Sequence, residues 1–490
     1  MKKFLSLILL LGLKVSIVLA QNSTNDLESV KKQLQEIQNS IHQLESKHQE
    51  ELQLLKKKLE DQQILLNQLK NREISPQTPS ATVVLTNRIE AVTVSTQPLP
   101  SPEPSWLPSA PIHLAGNAKN YLNISFDGLF AAAGSTAPDL QNIEIGGHDP
   151  IQRGFTVQNL ELTFDGAVDP YFIGQASLVT QINRAGNTTF EAEEAWLQTT
   201  SLPANLQAKA GLYISPFGRL NQTHPHTWDF TDQPLVNGRF LGPDGLRNPG
   251  AQLSYLTPLP WYSELLLSIQ NGSGDTAMSF RNRGDNNVFF GRPTLDRNIR
   301  SPEDLLYVPR WINSFDLTDE QTLVLGSSAA FGPNDTGGIS STQIYGVDAF
   351  YKWKPSNASG GWPFVKWQSE AMYRRFEAGD AHNNTVLPVE VFHDWGLYSQ
   401  ATWGFSKGWV AGLRGDYLIQ KKSRFTVDAT RDNRWRISPN LTWYPTEFSK
   451  IRLQYNHDDI QPSPSIRARN EETIILQFEF LLGSHGAHKF

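Results

Sequence analysis

From Asn120 onward apolar residues fall on every second position, and this period of two sets the terms for everything the chain can build. Leu122, Ile124, Phe126, Gly128 and Phe130 alternate with Asn123, Ser125 and Asp127. Successive side chains of a strand point to opposite faces, so such a run is apolar on one face and polar on the other. The pattern recurs in stretches of about ten residues, the length a tilted strand needs to cross a bilayer. Leu160, Leu162 and Phe164 carry it in the second strand; Ile451, Leu453 and Tyr455 carry it near the end. Beyond the N-terminus no segment has about eighteen consecutive apolar residues. Any passage through a membrane must therefore use strands.

The connections between runs come in two kinds. Tight ones, rich in Pro, Gly or Asp, fall around Asp169-Pro170, Leu202-Pro203, Pro258-Leu259-Pro260, Phe315-Asp316, Pro355-Ser356, Ser406-Lys407 and Pro445-Thr446. Long polar ones occupy 133–152, 214–249, 271–303, 332–341, 379–389, 420–433 and 458–471. With 304–313 counted as a strand, long and short alternate along the chain, and the link from Asn183 to Asn187 is the one short member of the long series. This predicts a transmembrane β-barrel of about sixteen antiparallel strands over 114–490, with both ends of the sheet on the short-turn side. In bacterial outer-membrane barrels short turns face the periplasm and long loops face outward.

A soluble β-sandwich also alternates, but its strands are shorter and its sheets leave edges to protect. Here aromatic residues sit beside the tight turns: Tyr171-Phe172, Trp261-Tyr262, Trp353, Trp403 with Trp409, and Trp443-Tyr444. Such placement suits an interfacial girdle. A chain that is 10% aromatic with 13 Trp, yet polar overall, fits the same picture. The terminal Phe490 after the run Ile474 to Leu482 suits a closing strand that pairs with the first and leaves no edge.

The N-terminal quarter is built differently. Lys2 and Lys3, the apolar run Phe4 to Leu13 and the small-residue end Val18-Leu19-Ala20 read as a signal peptide over 1–20, with an uncleaved anchor as the alternative. Leu27, Val30, Leu34, Ile37, Ile41 and Leu44 then step by three and four. After an extra four-residue step at His48 the seam resumes with Leu52, Leu55, Leu59, Gln62, Leu66 and Leu69. That is a heptad seam with one stutter, predicting an α-helical coiled coil over 21–72; one amphipathic helix is the alternative. Residues 73–113 shift to Pro, Ser and Thr, with alternating prolines from Pro98 to Pro104, and read as an extended linker.

Charge and composition exclude several classes. The net charge of -6 gives no basic face for a nucleic acid. The absence of cysteine removes disulfides, thiolate catalysis and Cys-based metal sites. No nucleophile elbow, phosphate loop or His-Glu zinc motif appears, so no enzyme is expected. Glu191, Glu193 and Glu194 cluster on one strand and read as a charged row facing a wet lumen.

A barrel of this size encloses water, and selectivity is set where the lumen narrows. The third long loop, 214–249, is the candidate for folding inward. It carries Arg219, Arg239 and Arg247 beside Asp229, Asp232 and Asp244, with His224-Pro225-His226 between them. Opposed rows of guanidinium and carboxylate would orient a polar solute; mutual pairing that merely braces the loop is the alternative. The balanced signs give no ion preference. His224 with His226, and His485 with His488 in the Gly-rich tail, could bind zinc, or could serve only in hydrogen bonding and packing.

Several segments resemble a known group. Asp169-Pro170-Tyr171-Phe172, Gly211 to Asn221, His224 to Phe230 (HPHTWDF), Asp232 to Asn237 (DQPLVN), Asn313 to Glu320 (NSFDLTDE) and His485 to Phe490 (HGAHKF) resemble Gram-negative outer-membrane proteins of the phosphate-selective porin type. They are more closely similar to the relatives called zinc-regulated outer-membrane receptors. The resemblance implies a sixteen-stranded, trimeric barrel that passes small solutes. A porin for siderophores with a coiled-coil start is similar in layout. Nothing between Gln21 and His113 could form the globular plug of a TonB-dependent receptor, and no lysine lies between Lys209 and Lys352 to line a phosphate funnel.

Three expectations stand at this point. The first is a passive outer-membrane channel for small polar or charged solutes, needing no cofactor, filtered by the third loop. In it a periplasmic stalk aids homotrimer formation or reaches peptidoglycan. The second is a receptor, independent of TonB, for zinc or a metal–siderophore chelate. The third is a tether whose barrel only anchors the stalk in outer-membrane lipid.

Overall fold

The computed structural model of the chain describes residues 112–116, 120–380, 387–461 and 468–483, together with Lys57. The expected signal peptide, coiled coil and linker, the tail histidines His485 and His488 and the terminal Phe490 lie outside the described residues.

Sixteen strands form one closed antiparallel sheet. In chain order they are β1 Tyr121–Ser135, β2 Gly154–Asp169, β3 Phe172–Ile182, β4 Thr188–Thr199, β5 Leu206–Ile214, β6 Arg247–Leu256, β7 Tyr262–Gln270 and β8 Leu306–Thr318. Then follow β9 Gln321–Pro333, β10 Ser341–Trp353, β11 Phe364–Ala378, β12 Glu390–Ser406, β13 Trp409–Ile419, β14 Arg434–Thr446, β15 Ser449–Ile460 and β16 Arg469–Leu482. Each pairs with its chain neighbour, and β16 closes on β1 from Thr473 opposite Ser135 to Leu482 opposite Phe126. Closure leaves no unpaired edge along the ring. A short strand, Ile112–Gly116, pairs with the beginning of β1, below the point where β16 ends its pairing.

The alternation of long and short connections holds. The strand expected at 304–313 is β8, and the loop that follows β3 is the short one of its series. Two tight turns lie a few residues later than expected: the β8–β9 turn is at Asp319-Glu320, after Phe315-Asp316, and the β14–β15 turn is at Glu447-Phe448, after Pro445-Thr446. Sheet hydrogen bonding in both places carries the strand past the local turn signal.

The two faces of the sheet are inverted relative to a soluble protein. On β14 the outward Trp435, Ile437, Leu441 and Trp443 are each about 40% exposed, while the inward Arg434, Arg436, Ser438 and Thr442 are buried. On β15 Leu453 and Tyr455 face out, whereas Lys450, Arg452, Gln454 and Asp458 are buried inside. Apolar outside and polar inside is the order that hydrocarbon solvent demands. At the short-turn end Tyr171, Phe172, Trp261, Tyr262, Trp403, Trp409 and Trp443 all lie exposed on the outer face, and the Trp409 and Trp443 rings stack at 5.9 Å. Toward the long loops Tyr345, Tyr373 and Trp395 form a second run of outer rings.

Two irregularities matter for the interior. Between β1 and β2 the register slips so that Leu129 faces Asn159 and Phe130 faces Val157, leaving Gln158 as an extra residue. Between β3 and β4, Ser177 faces Glu194 and Leu178 faces Ala192, leaving Glu193 extra. A bulge places two consecutive side chains on one face. Gln158 and Asn159, and Glu193 and Glu194, are accordingly all buried inside the barrel.

Candidate functional site: the loop-crossed lumen

The third long loop, residues 215–246 between β5 and β6, leaves the rim and enters the lumen. Its neck is tied by Ser215 N–H donating to Leu246 O at 2.8 Å and by Asn221, whose amide donates to Ser215 O at 3.0 Å and accepts from Leu246 N–H at 2.8 Å. Gly218 then passes the wall at positive φ (62°), where a Cβ would lie 2.2 Å from Glu370 Oε2, so the close approach requires glycine here. Leu220 N–H donates to Glu370 Oε1 on β11 at 2.6 Å. A few residues later His224 contacts Glu161 on β2. Strands β2 and β11 lie on opposite sides of a sixteen-stranded ring, so this loop spans the lumen.

One wall receives the loop through apolar contacts. Phe217, Leu235, Val236, Phe240 and Leu241 of the loop pack with the inward Leu306, Val308, Ile344, Met372, Tyr398 and Leu418 of β8 to β13. Two glycines act as sockets. A Cβ on Gly346 would come 2.9 Å from the Phe217 ring, and one on Gly396 would come 2.5 Å from Val236. Val236 belongs to a short helix, Leu235–Phe240 (α1).

The other wall receives it through charge. The Lys450 ammonium donates to His226 O at 2.6 Å, the Arg452 guanidinium to Trp228 O at 3.0 Å, and the Asn440 amide to Asp229 O at 2.9 Å. Asp232 is the hub. Its carboxylate accepts from Arg414 at 2.7 Å, and also from Arg436 and Gln454. Burial alone would raise the Asp232 carboxyl, but Arg414 and Arg436 hold it below its ordinary value.

The eight loop residues singled out in the sequence do not form two opposed rows. The arginines and aspartates engage partners on the wall or another loop, while His224 and His226 share Glu161. The Arg219 guanidinium lies 3.8 Å above the Phe350 ring. Asp229 accepts from Lys366 at 2.7 Å, and Arg239 donates to Asp432 at 3.2 Å. Asp244 stands 3.7 Å from His148, and Arg247 pairs with Glu191 and donates to Glu193 O at 2.8 Å.

His224 and His226 enter a buried cluster. His224 Nδ1 lies 3.0 Å from Glu193 and 3.4 Å from Glu161, and its Nε2 lies 3.1 Å from Glu194. His226 Nδ1 is 3.4 Å from the second oxygen of Glu161. His148, from the first long loop, lies 3.7 Å from the second oxygen of Glu193. Burial opposes charge on His224, but Glu161 and Glu193 raise its imidazole well above the ordinary value. The sequence reading missed Glu161 altogether and missed what Glu193 pairs with. Alternation with Leu160 and Leu162 sends Glu161 inward, but no local signal gives its histidine partners, and the bulge that turns Glu193 inward depends on pairing with β3.

The first long loop, 136–153, settles over the third. Its Glu144 accepts from Arg436 at 2.6 Å and from Asn456 at 3.1 Å, and Ile143 O accepts from Arg434 at 2.8 Å. Across the mouth, Phe290 from the loop 271–305 packs against Phe376 and Phe392, and the Arg431 guanidinium stacks on Phe290 and Phe392.

Over 400 residues the chain is 30% identical to an uncharacterized protein of Aquifex aeolicus (strain VF5), spanning 75% of this chain and 79% of that one. The chain belongs to that protein's family. No family model matches the chain. Among solved structures, the outer membrane channel DcaP of Acinetobacter baumannii aligns with a TM-score of 0.49 at 11% identity, over 75% of this chain and 99% of that one. An anion-selective porin from Comamonas acidovorans aligns at 0.46 and 8%, over 74% and 100%. OmpF of Salmonella typhi aligns at 0.45 and 11%, over 74% and 98%.

Proposed function

We propose that the protein is an outer-membrane channel through which small polar or charged solutes diffuse, with the third long loop as its constriction. One observation carries this reading: a sixteen-stranded ring that is apolar outside holds, across its polar interior, a loop fastened to opposite walls. An apolar exterior places the ring in lipid, and a loop spanning the lumen sets what can pass. Lys209, Lys352 and Lys366 lie on inward positions near the short-turn ends of β5, β10 and β11, with Glu264 on β7 nearby in the ring. Both signs of charge therefore line the lumen on the periplasmic side of the loop, which suits hydrated polar solutes.

The same proposal includes export through a cleaved signal peptide at 1–20, a periplasmic stalk over 21–72, and assembly as a homotrimer whose stalk touches peptidoglycan. Reconstitution into planar bilayers is the direct test. Discrete conductance steps from the refolded chain are expected, and their absence under all ionic conditions overturns the channel. The buried His–Glu cluster supports a second reading, a receptor for zinc or a metal chelate. Uptake measured in a strain lacking the barrel separates that reading from general diffusion.

A further inference from the structure

We propose that His224, Glu161 and Glu193 form a divalent-cation site of the zinc class that staples the third loop to β2 and β4. It rests on the side-chain geometry inside the lumen and holds whether or not the barrel conducts.

The three donor atoms all lie within 4.8 Å of one another. Nitrogen and carboxylate ligands sit about 2.0–2.2 Å from zinc, so two of them on a tetrahedron stand roughly 3.3–3.6 Å apart. His224 Nδ1 meets that spacing to Glu161 at 3.4 Å and is slightly closer to Glu193 at 3.0 Å. An ion there requires the His224–Glu193 pair to open by a few tenths of an ångström, with the donor atoms already within 4.8 Å of one another. Both carboxylates converge on a single ring nitrogen. A proton there can point at only one of them, whereas a cation serves both at once.

The surroundings are arranged as supports for such ligands. His224 Nε2 faces Glu194 at 3.1 Å, which fixes the ring and leaves Nδ1 to the ion. Thr163 donates to Glu161 Oε1 at 2.9 Å and Asn159 to its Oε2 at 3.3 Å, while His148 stands behind Glu193. The cluster is walled off: Glu161, Glu193 and His224 are each less than a tenth exposed. An independent observation points the same way. Asp127 on β1 is 5% exposed, neither of its oxygens has a hydrogen-bond partner, and His226 and Glu161 are among the charged groups acting on it. His226 and Lys450 already act on this carboxylate, and a cation held by the cluster would add to the positive charge available to it.

Three protein ligands leave a fourth tetrahedral position for water or a ligand from the lumen. With the ion in place, the third loop is bound to the β2–β4 wall by coordination as well as by hydrogen bonds.

The test is titration of Zn²⁺ into the refolded, chelator-stripped full chain in detergent micelles. One tight Zn²⁺ per chain is expected, weakened at least about tenfold by His224→Gln or Glu161→Gln and retained when His485 and His488 are both changed to Ala. A heat-shifted gel band confirms that each variant has closed its barrel. Should the lumen variants fail to fold, anomalous scattering at the zinc edge from crystals of the wild-type chain decides, with a peak expected between His224, Glu161 and Glu193. Absence of binding, binding that disappears with the tail histidines, or an anomalous peak elsewhere overturns the site.

Discussion

The Asp232 carboxylate, at the middle of the inward loop, accepts a 2.7 Å hydrogen bond from the Arg414 guanidinium on β13, and each residue is 1% exposed. Arg436 on β14 reaches the same oxygen, so two cations share one carboxylate. Breaking a buried ion pair costs about 3–5 kcal/mol when the other charge is left alone; here Arg414 keeps Asp416 and Arg436 keeps Asp458 and Glu144, so the loss falls at or below the low end of that range. Asp232→Asn is therefore expected to loosen the third loop from the β13–β15 wall. Limited proteolysis should open new cleavage sites within 215–246, and single-channel conductance should rise. A loop as resistant as the wild type would show that the apolar sockets at Gly346 and Gly396 suffice to hold it.

The first long loop supplies a pH dependence. Glu144 is pushed up to about 8, first by burial and then by Asp232, Asp149 and Asp458, with Arg436 pulling the other way. Asp149 beside it is pushed up to about 7 by burial and by Asp232, against hydrogen bonds from Gln233 and Gly146 and the charge of Arg436. Other charged groups against this loop are Arg434, donating to Ile143 O, Arg184, paired with Asp139, Glu471, accepting from Thr136, and Glu193 and Asp244, which stand 3.7 Å from His148. A carboxyl whose folded value exceeds its unfolded value makes the folded state the better proton binder. The contribution to stability is complete at low pH and is lost as pH rises from the ordinary carboxylate range through about 8. Hydrogen exchange over 136–153, corrected for intrinsic rate, should show more protection at about pH 6 than at about pH 9. Equal or greater protection at the higher pH would contradict this account.

The outer face gives a prediction about solvent. Leu476 on β16 is 49% exposed and opposite Leu453 on β15, which is 51% exposed. In water an arginine at such a position would cost little. In hydrocarbon it costs about 2–4 kcal/mol near the bilayer midplane. Denaturant unfolding in lipid vesicles should find Leu476→Arg less stable than Leu476→Ala by that order. Equal stability of the two variants would mean that this face is bathed by water.

Much of the wall was legible in the sequence because the period of two is a local property. Leu122, Ile124 and Phe126 face outward as their alternation requires, and the order of tight and long connections carried the strand count. The third loop was legible as charged, histidine-bearing and a candidate for folding inward. Its partners were not. Asp232 meets Arg414 and Arg436 across 182 and 204 residues of sequence, and Leu220 meets Glu370 across 150. Pairings of that range exist only after the ring has closed. Glu193 was legible as one of a charged row facing the lumen, but its pairing with His224 was not, and Glu161 escaped notice. Glu193 sits where strict alternation would send it to the lipid face, and only the slip against β3 turns it inward.

The sequence by itself determined that this chain forms amphipathic strands and which residues on a regular strand face outward, because these follow from side-chain spacing along a single strand. The order of connections put their number at about sixteen. The tertiary structure decided what fills the lumen: which loop crosses it, where Asp232 and His224 find their partners, and where bulges reverse a face. Closing sixteen strands into a ring brings distant inward positions together, and charges buried there must be matched by whichever partner the ring delivers.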